Sequence, residues 1–126
     1  MDPQFQDASL RVTEPAVPLT EHLPTPWTVS SEEWYAFAAN PRGKGYEILL
    51  TIDEDTYITQ GETTSGWMAG WTDRMEGEHP LVWRHELGQG RVFYSAIGHR
   101  PETYQLPEYR QLLSGAMRWA LGGQAQ

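Results

Sequence analysis

Read for its apolar and polar positions, the chain shows period two in several short runs and a sustained helical period in one. Leu81-Val82-Trp83-Arg84-His85 and Arg91-Val92-Phe93-Tyr94-Ser95-Ala96-Ile97 are strand-like. Between them Glu86-Leu87-Gly88-Gln89-Gly90 holds two glycines that supply the positive φ of a tight reversal. The two runs are therefore predicted to pair as an antiparallel hairpin. Beyond them, Tyr109, Leu112, Leu113, Ala116, Met117, Ala120 and Leu121 recur at helical spacing, with Trp119 at the margin of the stripe. Pro107 suits the first turn of this helix and Gly122-Gly123 its end.

Upstream, Tyr46-Glu47-Ile48-Leu49-Leu50-Thr51-Ile52 is the strongest strand by composition and is predicted to lie centrally in a sheet. Trp27 to Phe37 reads as extended, with Trp27, Val29, Ser31, Glu33, Tyr35 and Phe37 on one face. A capping box at Ser30 and Glu33, opening a short helix, is the alternative. Leu10-Arg11-Val12 is a short strand limited by Pro15 and Pro18. Residues 1–9 are expected to be a flexible leader, 10–123 one domain and 124–126 a tail. The stretch from Thr56 to Glu78, rich in glycine and threonine, is a long loop carrying Trp67, Met68 and Trp71, which suits function or an interface.

Three places carry candidate chemistry. His99, between Gly98 and Arg100, sits where the hairpin's second strand crosses to the helix, the position at which ligands tend to bind in open α/β sheets. It suits a general base or a neutral metal ligand, or it serves only to fix the crossover through a backbone carbonyl. Glu33, followed by Trp34 and Tyr35, places a carboxylate beside aromatic rings, a common way to hold sugar hydroxyls and an apolar sugar face; the alternative is a solvated strand residue. Asp53 and Glu54 end the central strand and either divide acid and base roles or form a solvated turn. His79-to-His85 spacing gives no metal motif, His85-Glu86 does not continue to HExxH, Gly88-Gln89-Gly90-Arg91 lacks the helix of a phosphate cradle, and no GxSxG elbow surrounds Ser95.

Composition narrows these options. With 126 residues the chain is long enough for one domain with a modest core, and its formal charge of −8 disfavours nucleic-acid phosphate and anionic membranes as partners while leaving neutral sugars unaffected. The absence of cysteine removes disulfides, thiolate metal sites and a cysteine nucleophile. No apolar run reaches the length of a membrane span, and Met1 to Phe5 lacks a signal peptide's features, so the expected location is cytoplasmic, or within a longer secreted precursor.

The runs HPLVWRHELGQGRVFYSAIGHRPETY, YRQLLSGAMRWALGG, EEWYAFAANPRGKGYEILLTIDEDTY and PAVPLTEHLP, in this order, resemble the ThuA-like proteins associated with trehalose and related sugar utilisation. The resemblance implies an α/β, flavodoxin-like fold similar to class I glutamine amidotransferases. This chain corresponds to the C-terminal portion, with a β-rich half, a hairpin and a helix; the first parallel strands belong to an N-terminal half that it does not contain. It also implies that Gly98-His99 and Glu33-Trp34-Tyr35 match family elements, whereas Val17-Pro18 stands where a His-Pro pair is common. The expected site therefore has His99 and Glu33 as acid–base groups and Trp34, Tyr35, Arg100, Tyr104 and Asp53 as contacts to a sugar or keto-sugar. No cofactor is expected, with a divalent metal near His99 left open. The alternative is a non-catalytic glycan- or protein-binding module that uses Trp67 and Trp71. An incomplete layer on the central strand and helix would find a partner, so a homodimer is expected.

Overall fold

Apolar residues at alternate positions can be buried only if neighbouring strands keep their registers, and the observed sheet is built on that condition. The computed structural model describes residues 5–14, 17–37, 39–57, 59, 74–75 and 77–122. Its strands are β1 (Gln6–Val12), β2 (Trp27–Glu32), β3 (Glu47–Ile52), β4 (Pro80–Leu87) and β5 (Gly90–Ser95), and its helix is α1 (Pro107–Ala120). They form one five-stranded sheet in the order β2-β1-β3-β4-β5. The strand predicted to be central, β3, is the middle one. Every pairing among the described residues is antiparallel, so the parallel strands of a flavodoxin-like sheet do not occur within them.

Paired residues of an antiparallel ladder point to the same face. Leu10 opposite Ile52, Val12 opposite Leu50 and Leu50 opposite Val82 thus build one continuous apolar surface across β1, β3 and β4. Tyr109, Leu112 and Ala116 of α1 close this surface, together with Leu19 and Leu23 from the connection between β1 and β2. The other face buries Ile48 and Trp83. Phe37 meets the Trp83 ring edge-on at 5.1 Å, and Tyr94 stacks on it at 4.4 Å. Residues Pro80 to Arg84 are buried without interruption because β4 is covered on both faces.

Four expectations are corrected. Strand β1 starts at Gln6, inside the stretch expected to be a leader, because Ala8 and Leu10 are needed to continue the buried face. In the hairpin, Gly88-Gln89 is a two-residue turn with positive φ at Gly88 alone (61°), while Gly90 already belongs to β5. On α1 the buried stripe runs through Trp119, and Met117 and Leu121 are exposed. The guanidinium groups of Arg84 and Arg91 lie 5.0 and 5.4 Å from the Trp119 ring and draw it onto the sheet.

The fourth correction decides the site. Gln6 pairs with Glu32 whereas Ala8 pairs with Val29, so β2 carries one residue more than β1 over this span. Ser31 takes a φ of 51° at this bulge. The extra residue reverses the phase of the strand. Glu32 and Trp34 turn inward, and Ser31 and Glu33 leave the face they would share with Trp27 and Val29.

The antiparallel order brings the C-terminal ends of β2, β3 and β5 and the N-terminal ends of β1 and β4 to one edge of the sheet. Tyr109 of α1 fixes that edge. Its hydroxyl donates to the Ile97 carbonyl at 2.8 Å and lies 2.9 Å from Ser95 Oγ, which accepts the Ile97 N–H. Among the described residues no helix is long and apolar enough to cross a membrane.

Tyr109→Phe leaves the Ile97 carbonyl without its donor and should cost about 1–3 kcal/mol in urea unfolding. Burial pushes the Tyr109 hydroxyl up from 10.0 to about 12. The unfolded chain then ionises first as pH rises, so this contribution to stability is full below pH 10 and is lost towards pH 12. Unfolding curves at alkaline pH should show this decline in the wild type and lack that part of it in Tyr109→Phe.

Candidate functional site

The site is assembled around a carboxylate turned inward by the β2 bulge. Glu32 has no solvent exposure. Its Oε1 accepts the backbone N–H of Glu33 at 2.9 Å and of His99 at 3.0 Å; its Oε2 accepts the Gly98 N–H at 3.2 Å and the Thr103 hydroxyl. A buried carboxylate needs such donors to offset its lost hydration. Three of the four come from the segment that follows β5, so the charge that must be satisfied also fixes the Gly98-His99 backbone. Gly98 is held at φ 110°, and a Cβ there would come within 2.7 Å of Tyr104 Cζ. Glycine alone meets both constraints.

With the backbone fixed, the His99 ring is directed at Glu33 and Tyr35. Nδ1 lies 3.3 Å from Glu33 Oε2 and 3.4 Å from the Tyr35 hydroxyl. Burial, followed by the charge of Glu33 and a hydrogen bond to it, raises the Tyr35 hydroxyl above its ordinary range, so it serves as a donor. A His99 ring that donates its Nδ1–H to Glu33 would leave Nε2 free to accept. Among the described residues Nε2 has no hydrogen-bond partner. Beside His99 is an open cleft of about 420 Å³ whose walls include Tyr35, Phe37, Tyr94 and Tyr104. The Phe5 ring lies 5.4 Å from the His99 ring on the approach from β1. Phe5, Tyr35, Tyr94 and Tyr104 are the exposed aromatic rings among the described residues, and all four border His99 or its cleft.

A second buried group supports this arrangement from below. His79, at the start of β4, places Nδ1 2.7 Å from Glu54 Oε2 and Nε2 2.8 Å from the Tyr35 carbonyl. Glu54 Oε2 also accepts the Met75 N–H at 2.6 Å, and Arg74 reaches both Glu54 and Asp55. The ends of β2, β3 and β4 are thereby tied together under the aromatic cleft.

The residues expected at the site separate into two groups. His99, Glu33, Tyr35 and Tyr104 are brought together. Arg100 adjoins them, but its guanidinium pairs with Glu102 at 3.0 Å and stacks over Phe5 at 5.3 Å. Trp34 is a core residue whose Nε1 donates to the Gln6 carbonyl at 2.8 Å, because the bulge turned it inward. Asp53 pairs with Arg11 at 3.3 Å and caps the turn Glu54–Thr56, and these bonds hold its carboxyl below the usual carboxylate range. It is a structural turn residue. Trp67 and Trp71 lie outside the described residues. Among the described residues no three His, Cys, Asp or Glu side chains gather to hold a metal ion.

Glu32 and Thr103 escaped sequence reasoning, as did the pairing of His79 with Glu54, a residue named there only as a possible acid or base at the strand end. A second glutamate one position from the expected face, in the run Glu32-Glu33-Trp34-Tyr35, is the available signal for Glu32. Without the bulge it reads as an outward residue.

The family model ThuA, described as "Trehalose utilisation", matches residues 1–120. A crystal structure of a protein from Bacteroides uniformis described as ThuA-like aligns over 92% of this chain and 43% of its own, with a TM-score of 0.64 and 24% identity. The chain thus spans less than half the length of that protein, and the likeness is one of fold. No curated protein matches the chain.

Glu32→Gln replaces an acceptor of four bonds with a group that must direct an N–H at some of the same donors. It should destabilise the protein by about 1.5–3 kcal/mol. Amide exchange should accelerate at Gly98 and His99 before it does in β5. Equal acceleration throughout the sheet would count against a local anchor.

Proposed function

This chain belongs to the ThuA family of trehalose utilisation, and from that premise we propose that it binds a sugar or keto-sugar in the cleft beside His99 and acts on it by acid–base chemistry. The observation that carries this reading is the pairing of His99 Nδ1 with Glu33 Oε2 at 3.3 Å beside a cleft walled by exposed aromatic rings. A sugar ring has an apolar face that stacks on tyrosine or phenylalanine and a rim of hydroxyls that hydrogen-bond to polar groups. In this reading Tyr94 and Tyr104 receive the face. The hydroxyl or acidic C–H at the reacting carbon meets Nε2 of His99.

Glu33 then acts as the residue that orients the imidazole. A carboxylate on Nδ1 stabilises the ring as it takes a proton at Nε2, and the protonated ring can return that proton to a leaving oxygen or to a neighbouring carbon. Tyr35 donates to Glu33 and keeps it aligned. Hydrolysis, elimination and isomerisation of a neutral carbohydrate share this proton traffic. In the same proposal the antiparallel sheet is the β-rich portion of a larger flavodoxin-like domain similar to class I glutamine amidotransferases. Spanning 43% of the solved relative accords with that.

Nitrogen NMR of the wild type should show the neutral His99 ring protonated at Nδ1, and Glu33→Gln should shift it towards the Nε2–H form. Trehalose or glucose should perturb the amides of Gly98, His99 and Tyr104. Tyr104→Ala should weaken that binding about tenfold, on the order of 1.4 kcal/mol. His99→Gln should retain binding and remove turnover of a keto-sugar substrate. Sugar binding that leaves these three amides unmoved would sink the proposal.

A further inference from the structure

We infer that the groove along the outer edge of β2 is a second saccharide-binding site, distinct from the His99 cleft. It has a volume of about 580 Å³, and Arg100, Glu102 and Thr103 line it where Gly98, His99 and Tyr104 line the cleft. Two concave surfaces thus share one seven-residue segment, 98–104.

The chemistry of the groove selects its ligand. Trp27, Pro24 and Leu106 supply an apolar floor. The hydroxyl-bearing side chains of Thr28, Ser30 and Ser31 line the groove as well. Among the described residues the Ser30 and Ser31 hydroxyls have no hydrogen-bond partner, and the Thr28 hydroxyl shares one contact with Ser9 at 3.3 Å. The charges present are Arg100, already paired with Glu102, and the carboxylate of Glu108. An anion would meet two carboxylates against one committed cation. A polyhydroxylated neutral molecule with an apolar face meets both hydroxyls and apolar side chains in this lining, and the volume suits a sugar-sized ligand. The choice of a saccharide among such molecules rests on the functional reading above.

The position of the groove gives it a connection to the cleft. Thr103 lines the groove and donates to Glu32, the carboxylate that holds the Gly98 and His99 N–H groups. Both sites therefore bear on one buried anchor. A ligand in the groove would stabilise the segment that carries His99.

The test is an amide NMR titration of the chain with glucose and with trehalose. The inference expects shifts at Thr28, Ser30, Ser31 and Glu102 in addition to those at Gly98, His99 and Tyr104. Ser30→Trp should fill the groove and abolish the first set while the second persists. Thr28→Val, in the regular part of β2 away from the bulge, keeps the strand and removes a hydroxyl; it should weaken groove binding severalfold without change at the cleft. Shifts confined to the cleft would overturn this inference and leave the His99 proposal standing. Shifts confined to the groove would sustain it and overturn that proposal. Silence at both would remove both, and groove shifts unaltered by Ser30→Trp would also overturn the inference.

Discussion

A fully buried carboxylate is costly unless its oxygens are hydrogen-bonded, and in this protein the donors that satisfy Glu32 come largely from one segment. The N–H groups of Gly98 and His99 and the hydroxyl of Thr103 lie far from Glu32 in sequence and converge on it at the sheet edge. Removing the charge releases the segment, and moving the segment strands the charge. The rest of the site depends on this reciprocity. His99 is aimed by a backbone that Glu32 holds, Gly98 takes a conformation open to glycine alone, and Tyr104 packs on it.

The bulge in β2 makes that interaction available. A regular strand would present Glu33 with Trp27 and Val29 and send Glu32 to solvent. With one extra residue at Ser30-Ser31, Glu32 goes in to anchor the crossover and Glu33 is left beside the His99 ring. Two adjacent glutamates therefore hold different positions, one structural and buried, the other partly exposed and facing the cleft. Strand bulges often re-aim a side chain next to a site, and this one re-aims a pair.

Both layers of the fold meet at the same edge. On the helix side, Tyr109 fixes Ile97 one residue before the crossover. Immediately before β4, the buried His79 fixes the carbonyl of Tyr35, just after the acidic pair. At the end of a sheet the backbone leaves its ladder, and its N–H and C=O groups need other partners. Tyr109, His79 and Glu32 are those partners. A rigid frame under exposed tyrosines lowers the ordering cost for whatever stacks on them.

The sequence alone determined the elements and the family. Strand β3, the hairpin of β4 and β5, and α1 are local matters of period, turn glycines and a helix-starting proline, which neighbouring residues settle. The approach of His99, Glu33, Tyr35 and Tyr104 was legible from strand ends and motif resemblance. The tertiary structure decided the phase of β2, and with it the burial of Glu32 and Trp34, because a bulge is a response to the partner strand that single-strand periodicity does not carry. It also decided that Asp53 belongs to a capped turn with Arg11, that Trp119 rather than Met117 faces the sheet, and that His79 supports Tyr35. Each of these follows from which oxygen, ring or guanidinium arrives from a distant element, a fact fixed only when the strands take their register.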